Sequence, residues 1–299
     1  MISHDEVSVV ISFFSAADYE LPRRHLHSVI HMLNAQEVPL VVTQAVFPRQ
    51  EAQPVPESVV SKNYETSSLL FHKERLWNLG AQLTNSRKII FLDGDVIYKD
   101  SNWLRRCCRS LDKYDIIQPF SMAIWLDERG YPDMHREPMS SAIAAEETPR
   151  LQAYHPGFGW GMTRDAFNRS NGFFDYSVAG NSDALFGLSL RYSDGHEEVE
   201  QWYARRQDPS VNCRSYRDYK QNIYKQNFSV GTPSDVEVVH LWHGSRTNRQ
   251  YITRGRLFPR KEDGEYAVHT APNGLQVWDN EEEANKTTQQ YFKDKRDDG

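Results

Sequence analysis

The chain has 299 residues, 39% hydrophobic and 12% aromatic, which is enough to build a packed core and too apolar for a disordered polymer. A mean hydropathy of −0.70, with no apolar run near eighteen residues, excludes a polytopic membrane protein. With 35 basic against 41 acidic side chains the net charge is −6, which disfavours sequence-blind binding to nucleic acid unless a local basic patch supplies it.

The length suits either two domains or one large decorated α/β domain. Residues 1–6 are polar and acidic and carry no secretory or transit signal, so the expected location is the cytosol. Residues 7–14 read as a buried strand. Residues 21–35 have helical spacing (Leu26, Val29, Ile30, Leu33), with Pro22 near the first turn. A second strand over 38–47 leads into a loop carrying Pro48, Pro54 and Pro56, then a helix over about 71–84 and a strand over 88–92. This βαβαβ order predicts a mostly parallel sheet covered on both faces, with ligands at the carboxyl ends of the strands.

From Trp103 a helix leads into a strand over 115–120, after which the alternation stops. Residues 121–151 read as a substrate-facing excursion. A strand and turn over 154–163, helices near 164–170 and 182–192, a polar helical stretch near 196–206 and a strand over 236–242 follow. Residues 279–299, mostly charged or polar, are expected to form a surface helix with a frayed tail. Cys107, Cys108 and Cys213 are odd in number and lack C-x-x-C spacing, so they read as reduced thiols.

Two motifs carry chemistry. Asp93-Gly94-Asp95 directly follows a buried strand, where an open sheet exposes its ligands. An Asp-x-Asp is common by chance, and Asp93 could simply cap the next helix; at this position the pair can instead hold a divalent cation that neutralises a diphosphate. The second motif is His240-Leu241-Trp242-His243-Gly244, at the end of a strand. Two histidines three apart face opposite sides of an ideal strand, so both reach one metal only if the chain bends near Trp242, which Gly244 permits.

Three blocks then resemble one family in order. Phe71-His72-Lys73-Glu74-Arg75-Leu76-Trp77-Asn78-Leu79-Gly80 before Asp93-Gly94-Asp95, and Gly157 to Phe167 followed by Asn171-Gly172-Phe173-Phe174-Asp175, are similar to GT-A glycosyltransferases of the family-2-like and β-1,4-galactosyltransferase-like groups. The resemblance spans about residues 7–256. It implies a GT-A, Rossmann-like α/β fold: a single catalytic domain over 1–261, with a nucleotide-sugar half to about 120 and an acceptor half over 121–261, and an extension over 262–299.

By the same resemblance Asp183 is the general base on an acceptor hydroxyl, with its pKa expected to be raised by partial burial. Asn181 and Ser182, with Trp160, would meet the acceptor. Arg75, Asn78, Asp93 and Arg246 would meet the donor. Asp95, His240 and His243 would hold Mn²⁺ or Mg²⁺. The implied reaction is inverting transfer from a nucleoside-diphosphate sugar, a UDP-sugar first. The acceptor would be a glycan or lipid-linked sugar, with a hydroxylated DNA base as a further candidate.

Arg246, Arg249, Arg254, Arg256, Arg260 and Lys261 suggest a flexible cationic lid, and Trp125, Trp160 and Trp242 could stack on sugars. Two other readings stand beside this one: a sugar-phosphate nucleotidyltransferase, which the first strand disfavours by lacking a glycine-rich phosphate loop, and a non-catalytic carbohydrate- or nucleic-acid-binding module.

Overall fold

A computed structural model of the chain describes residues 3–147, 153–192, 213–251 and 253–299. The expected helical stretch near 196–206 lies outside them. In chain order the strands are β1 (Val7–Phe14), β2 (Leu40–Val46), β3 (Val60–Glu65), β4 (Lys88–Leu92), β5 (Val96–Tyr98), β6 (Ile116–Ile117), β7 (Met122–Leu126), β8 (Pro132–Pro138), β9 (Tyr154–His155), β10 (Gly159–Thr163), β11 (Val230–Gly231), β12 (Glu237–His240), β13 (Val268–Thr270) and β14 (Gln276–Trp278). The helices are α1 (Glu20–Ala35), α2 (Lys73–Ala81), α3 (Trp103–Leu111), α4 (Met139–Ala144), α5 (Arg164–Ser170), α6 (Ser182–Arg191), α7 (Arg214–Lys225) and α8 (Glu281–Asp294).

The central sheet has the order β11-β6-β10-β4-β1-β2-β3. It is parallel except where β10 runs antiparallel between β4 and β6. Alternation along the strands divides the core in two. Val9, Ile11, Ile90 and Leu92 pack with α1 and α3 on one face, and Val10, Ile89 and Phe91 pack with Trp77 and α6 on the other. A second sheet, β5-β12-β7-β8-β9, grows off the carboxyl end of the first.

Several elements escape the periodicity. β3 falls in the stretch read as a proline loop; it is an edge strand in which only Tyr64 is buried, so it carries no apolar run. Within the expected excursion over 121–151, the described residues form the β7–β8 hairpin and α4, with Met139 buried in the core. Residues 279–299 do not fray. α8 buries Ala284, Thr288, Tyr291 and Phe292, and Asn285 bonds the backbone of Ser67 and Leu69 on either side of Ser68. Cys107, Cys108 and Cys213 are buried free thiols. Among the described residues no helix is long and apolar enough to cross a membrane.

Candidate active site

A cavity of about 400 Å³ opens where β1 and β4 end. Asp93 follows β4, and Asp95 enters β5, which pairs antiparallel with β12 so that Val96 stands opposite His240. The Leu241 N–H donates to the Asp95 carbonyl at 2.9 Å, which fixes the register of the two motifs. The strand stops at His240 and the chain turns, with Gly244 at φ +82°. The bend the sequence required is present, and the His240 and His243 Nε2 atoms lie 3.2 Å apart. Asp95 Oδ2 is 2.7 Å from His243 Nε2 and 3.6 Å from His240 Nε2. One ligand atom from each of the three residues lies within 4.8 Å of the others.

The electrostatics suit a cation. Burial alone would raise the Asp95 pKa, but the two imidazoles hold it well below the usual carboxylate range. Burial pushes His240 down to about 4, so its imidazole is neutral at pH 7 and able to ligate. Asp95 Oδ1 and His240 Nδ1 are buried with no hydrogen-bond partner, an arrangement that is costly unless something further is bound there.

Beside this set lies a second charge cluster centred on Lys73, at the start of α2. Its Nζ is 3.3 Å from Asp93 Oδ1, 3.3 Å from Asp183 Oδ2 and 3.5 Å from Glu74 Oε1. Burial pulls Lys73 down, yet the three carboxylates carry it well above its ordinary value, so it is charged. Burial raises Asp93, and raises Glu74 to about 7. Asp183 goes the other way: burial would raise it, but Lys73 brings its pKa below the ordinary value. The expected upward shift of Asp183 is therefore corrected; its carboxylate is ionised at neutral pH. Gly157 packs against this group. A Cβ there would come 2.9 Å from both Asp183 Oδ2 and His155 Nε2.

Of the other expected site residues, Asn181 and Arg246 line the cavity. Arg246 also pairs with Asp133 at 3.0 Å. Four do not line it. Arg75 bonds Asp175 and the Gly274 carbonyl, and Asn78 bonds both the N–H and C=O of Phe173 and the Asp175 carboxylate. These two family-like blocks are thus joined by one structural clamp that satisfies backbone groups of Phe173 and Gly274. Trp160 is 0% exposed, donates to the Pro156 carbonyl and packs edge-on to Phe186 in the core. Ser182 is buried in the first turn of α6.

Among the described tryptophans, only Trp125 lines the cavity. The basic stretch is no uniform lid. Arg254 is 5% exposed, bonded to Asn181 Oδ1 and stacked over Phe71 and Tyr251, while Arg260 and Lys261 turn away to Gly264 and Asp279.

Arg249, from the basic stretch, lines the cavity as well, and sequence reasoning missed Lys73, His155 and Asp297, which also line it. Lys73 stands two positions before the basic residue chosen from the motif, and its helical direction is what selects it. The others had no signal in sequence.

The sequence matches no protein-family model and no curated protein. In chain path the protein is similar to the crystal structure of Staphylococcus aureus TarS residues 1–349 in complex with UDP-GlcNAc, at 14% identity and a TM-score of 0.41, covering 74% of this chain and 71% of that one. It is likewise similar to TarS 1–349 without that ligand, at 12% identity and a TM-score of 0.42, covering 74% and 70%.

Proposed function

We propose that the chain is a metal-dependent glycosyltransferase of GT-A type, moving a sugar with inversion from a UDP-sugar to an acceptor hydroxyl on a glycan or lipid-linked sugar. The observation that carries this reading is the meeting, at the carboxyl edge of a mostly parallel sheet, of a carboxylate–imidazole donor set with a separate ionised carboxylate on Asp183. One carboxylate and two imidazoles, with Asp95 Oδ1 left unbonded, fit a divalent cation. Mn²⁺ suits them better than Mg²⁺, which prefers all-oxygen surroundings. Such a cation, when bound, offsets the charge of a departing diphosphate.

The chain's own groups divide the remaining work. Residues 12–17, where β1 ends, line the mouth and provide a surface for the nucleotide. Arg249 and Arg254 place fixed positive charge along the same wall, which supports the phosphates. Trp125 and Met134 add apolar lining suited to a sugar ring. Asp183, ionised and held by Lys73, accepts the acceptor's hydroxyl proton.

Calorimetric titration with Mn²⁺ and UDP, followed by measurement of UDP release from UDP-sugars, tests the reading. Wild type binds both. Asp95→Ala loses Mn²⁺ binding and turnover together, and Asp183→Asn keeps donor binding while transfer falls about 10²–10⁴-fold. Full turnover in EDTA or in Asp95→Ala overturns the metal role, and unchanged transfer in Asp183→Asn removes the base.

A further inference from the structure

Residues 295–299 return from α8 to the metal-type donor set. Asp297 is 5% exposed. Its Oδ1, buried and without a hydrogen bond, faces His243 Nδ1 at 3.4 Å, and its Oδ2 pairs with Lys295 at 2.6 Å. His243 is therefore flanked on its two ring nitrogens, by Asp95 at Nε2 and by Asp297 at Nδ1.

Three further contacts hold the segment in place. The Asp298 carboxylate accepts the Glu20 and Leu21 N–H groups, at 3.2 and 2.7 Å, at the start of the sixteen-residue α1, where backbone donors lack intrahelical partners. The Tyr19 hydroxyl donates to the Lys293 carbonyl and accepts the Arg296 N–H. The Arg296 carbonyl lies so close to Gly244 that a Cβ there would come within 2.3 Å of it, so the turn that brings His243 to Asp95 is also the surface on which the segment seats.

A ligating imidazole is oriented by what its second nitrogen meets, and a carboxylate there fixes the tautomer that leaves Nε2 free to ligate. Resting on the metal reading above, we propose that Asp297 is the positioning residue of His243, and that the Asp298 contact with α1 latches it there. The segment 295–298 thereby sets how tightly the site holds its cation. Arg249 Nη2 also approaches both ring nitrogens of His243, Nδ1 at 2.9 Å and Nε2 at 2.8 Å, so the competing arrangement has Asp297 acting only as a counter-charge to Arg249.

Titration of the full chain with Mn²⁺, and the visible spectrum of the Co²⁺-loaded protein, separate these cases. Asp297→Asn should weaken Mn²⁺ binding about 10–100-fold and alter the Co²⁺ bands, with Asp297→Glu recovering part of the affinity. Asp298→Ala, which leaves the Asp297 carboxylate in place, should weaken binding by a smaller factor and covers the case in which Asp297→Asn fails to fold. Arg249→Met combined with Asp297→Asn should keep the loss; recovery of affinity in that pair overturns the proposal in favour of the counter-charge arrangement. Unchanged affinity in Asp297→Asn, or in Asp298→Ala where the first variant does not fold, overturns the proposal while leaving the metal site standing. A wild-type chain that binds no Mn²⁺ overturns the metal reading and this inference with it.

Discussion

Replacing Lys73 by methionine keeps its length and removes its charge from a site where one buried carboxylate, on Glu74, and two part-buried ones, on Asp93 and Asp183, face it at 3.3–3.5 Å. At an effective dielectric constant of about 20, each 3.3 Å contact corresponds to about 5 kcal/mol of gross attraction, largely offset by desolvation. Removing one partner of a fully buried cluster costs about 3–5 kcal/mol net, which is the upper bound for this part-buried one. The loss has a definite pH dependence. Lys73 lowers the pKa values of Asp93, Glu74 and Asp183 against the burial that raises them, so its contribution is present when they are ionised and fades as pH falls and they protonate.

Glu74, at about 7 even with Lys73 in place, begins that change near neutrality. Urea unfolding of wild type and Lys73→Met should therefore differ by at most about 3–5 kcal/mol at pH 8, and by clearly less at pH 5. Without Lys73, burial also governs Asp183, so the acidic limb of the transfer pH profile moves to higher pH. A stability difference below about 1 kcal/mol, or one equal at both pH values, would refute the placement of Lys73 as the counter-charge.

Gly157→Ala should push the Asp183 carboxylate or His155 aside, lowering transfer kcat by about 10²-fold for a displacement near 1 Å, while thermal unfolding shifts by only about 1–3 kcal/mol; equal kcat would show that the two groups yield without cost. Asn78→Ala strips partners from the Phe173 backbone and Asp175, so it should cost about 3 kcal/mol in urea unfolding and leave UDP affinity unchanged, whereas a weakened UDP complex in a folded variant would restore Asn78 to the donor site. His72, buried against Phe14 and Phe47, has its pKa lowered by burial from 6.5 to about 4. The unfolded chain then binds the extra proton first, so about 3 kcal/mol of stability is present above pH 6.5 and is lost as pH falls to about 4; His72→Gln should flatten that part of the unfolding profile, and parallel profiles would count against it.

The sequence by itself determined the middle of the main sheet, β1, β2 and β4. Apolar runs at residues 7–14 and 88–92, separated by amphipathic helices, can be satisfied only by burial on both faces, and that placed Asp93 and Asp95 at the carboxyl edge before any coordinates. It also marked His240 and His243 as a pair that needs a bend. Family-like motifs were less informative about roles: Arg75, Asn78 and Trp160 sit in them, yet they bond backbone and core, because a motif preserves spacing without saying which way a helical side chain points.

Only the tertiary structure decided what faces the cavity. Lys73, His155 and Asp297 stand 82 and 142 residues apart in turn along the chain, and nothing local distinguishes Lys73 from Arg75 or makes a charged tail return to a buried histidine. Hydrophobic periodicity reports burial, a property each strand or helix carries alone. The partners of a charge are set by long-range packing, so the counter-ion of Asp183 and the carboxylate behind His243 became visible only once the chain was folded.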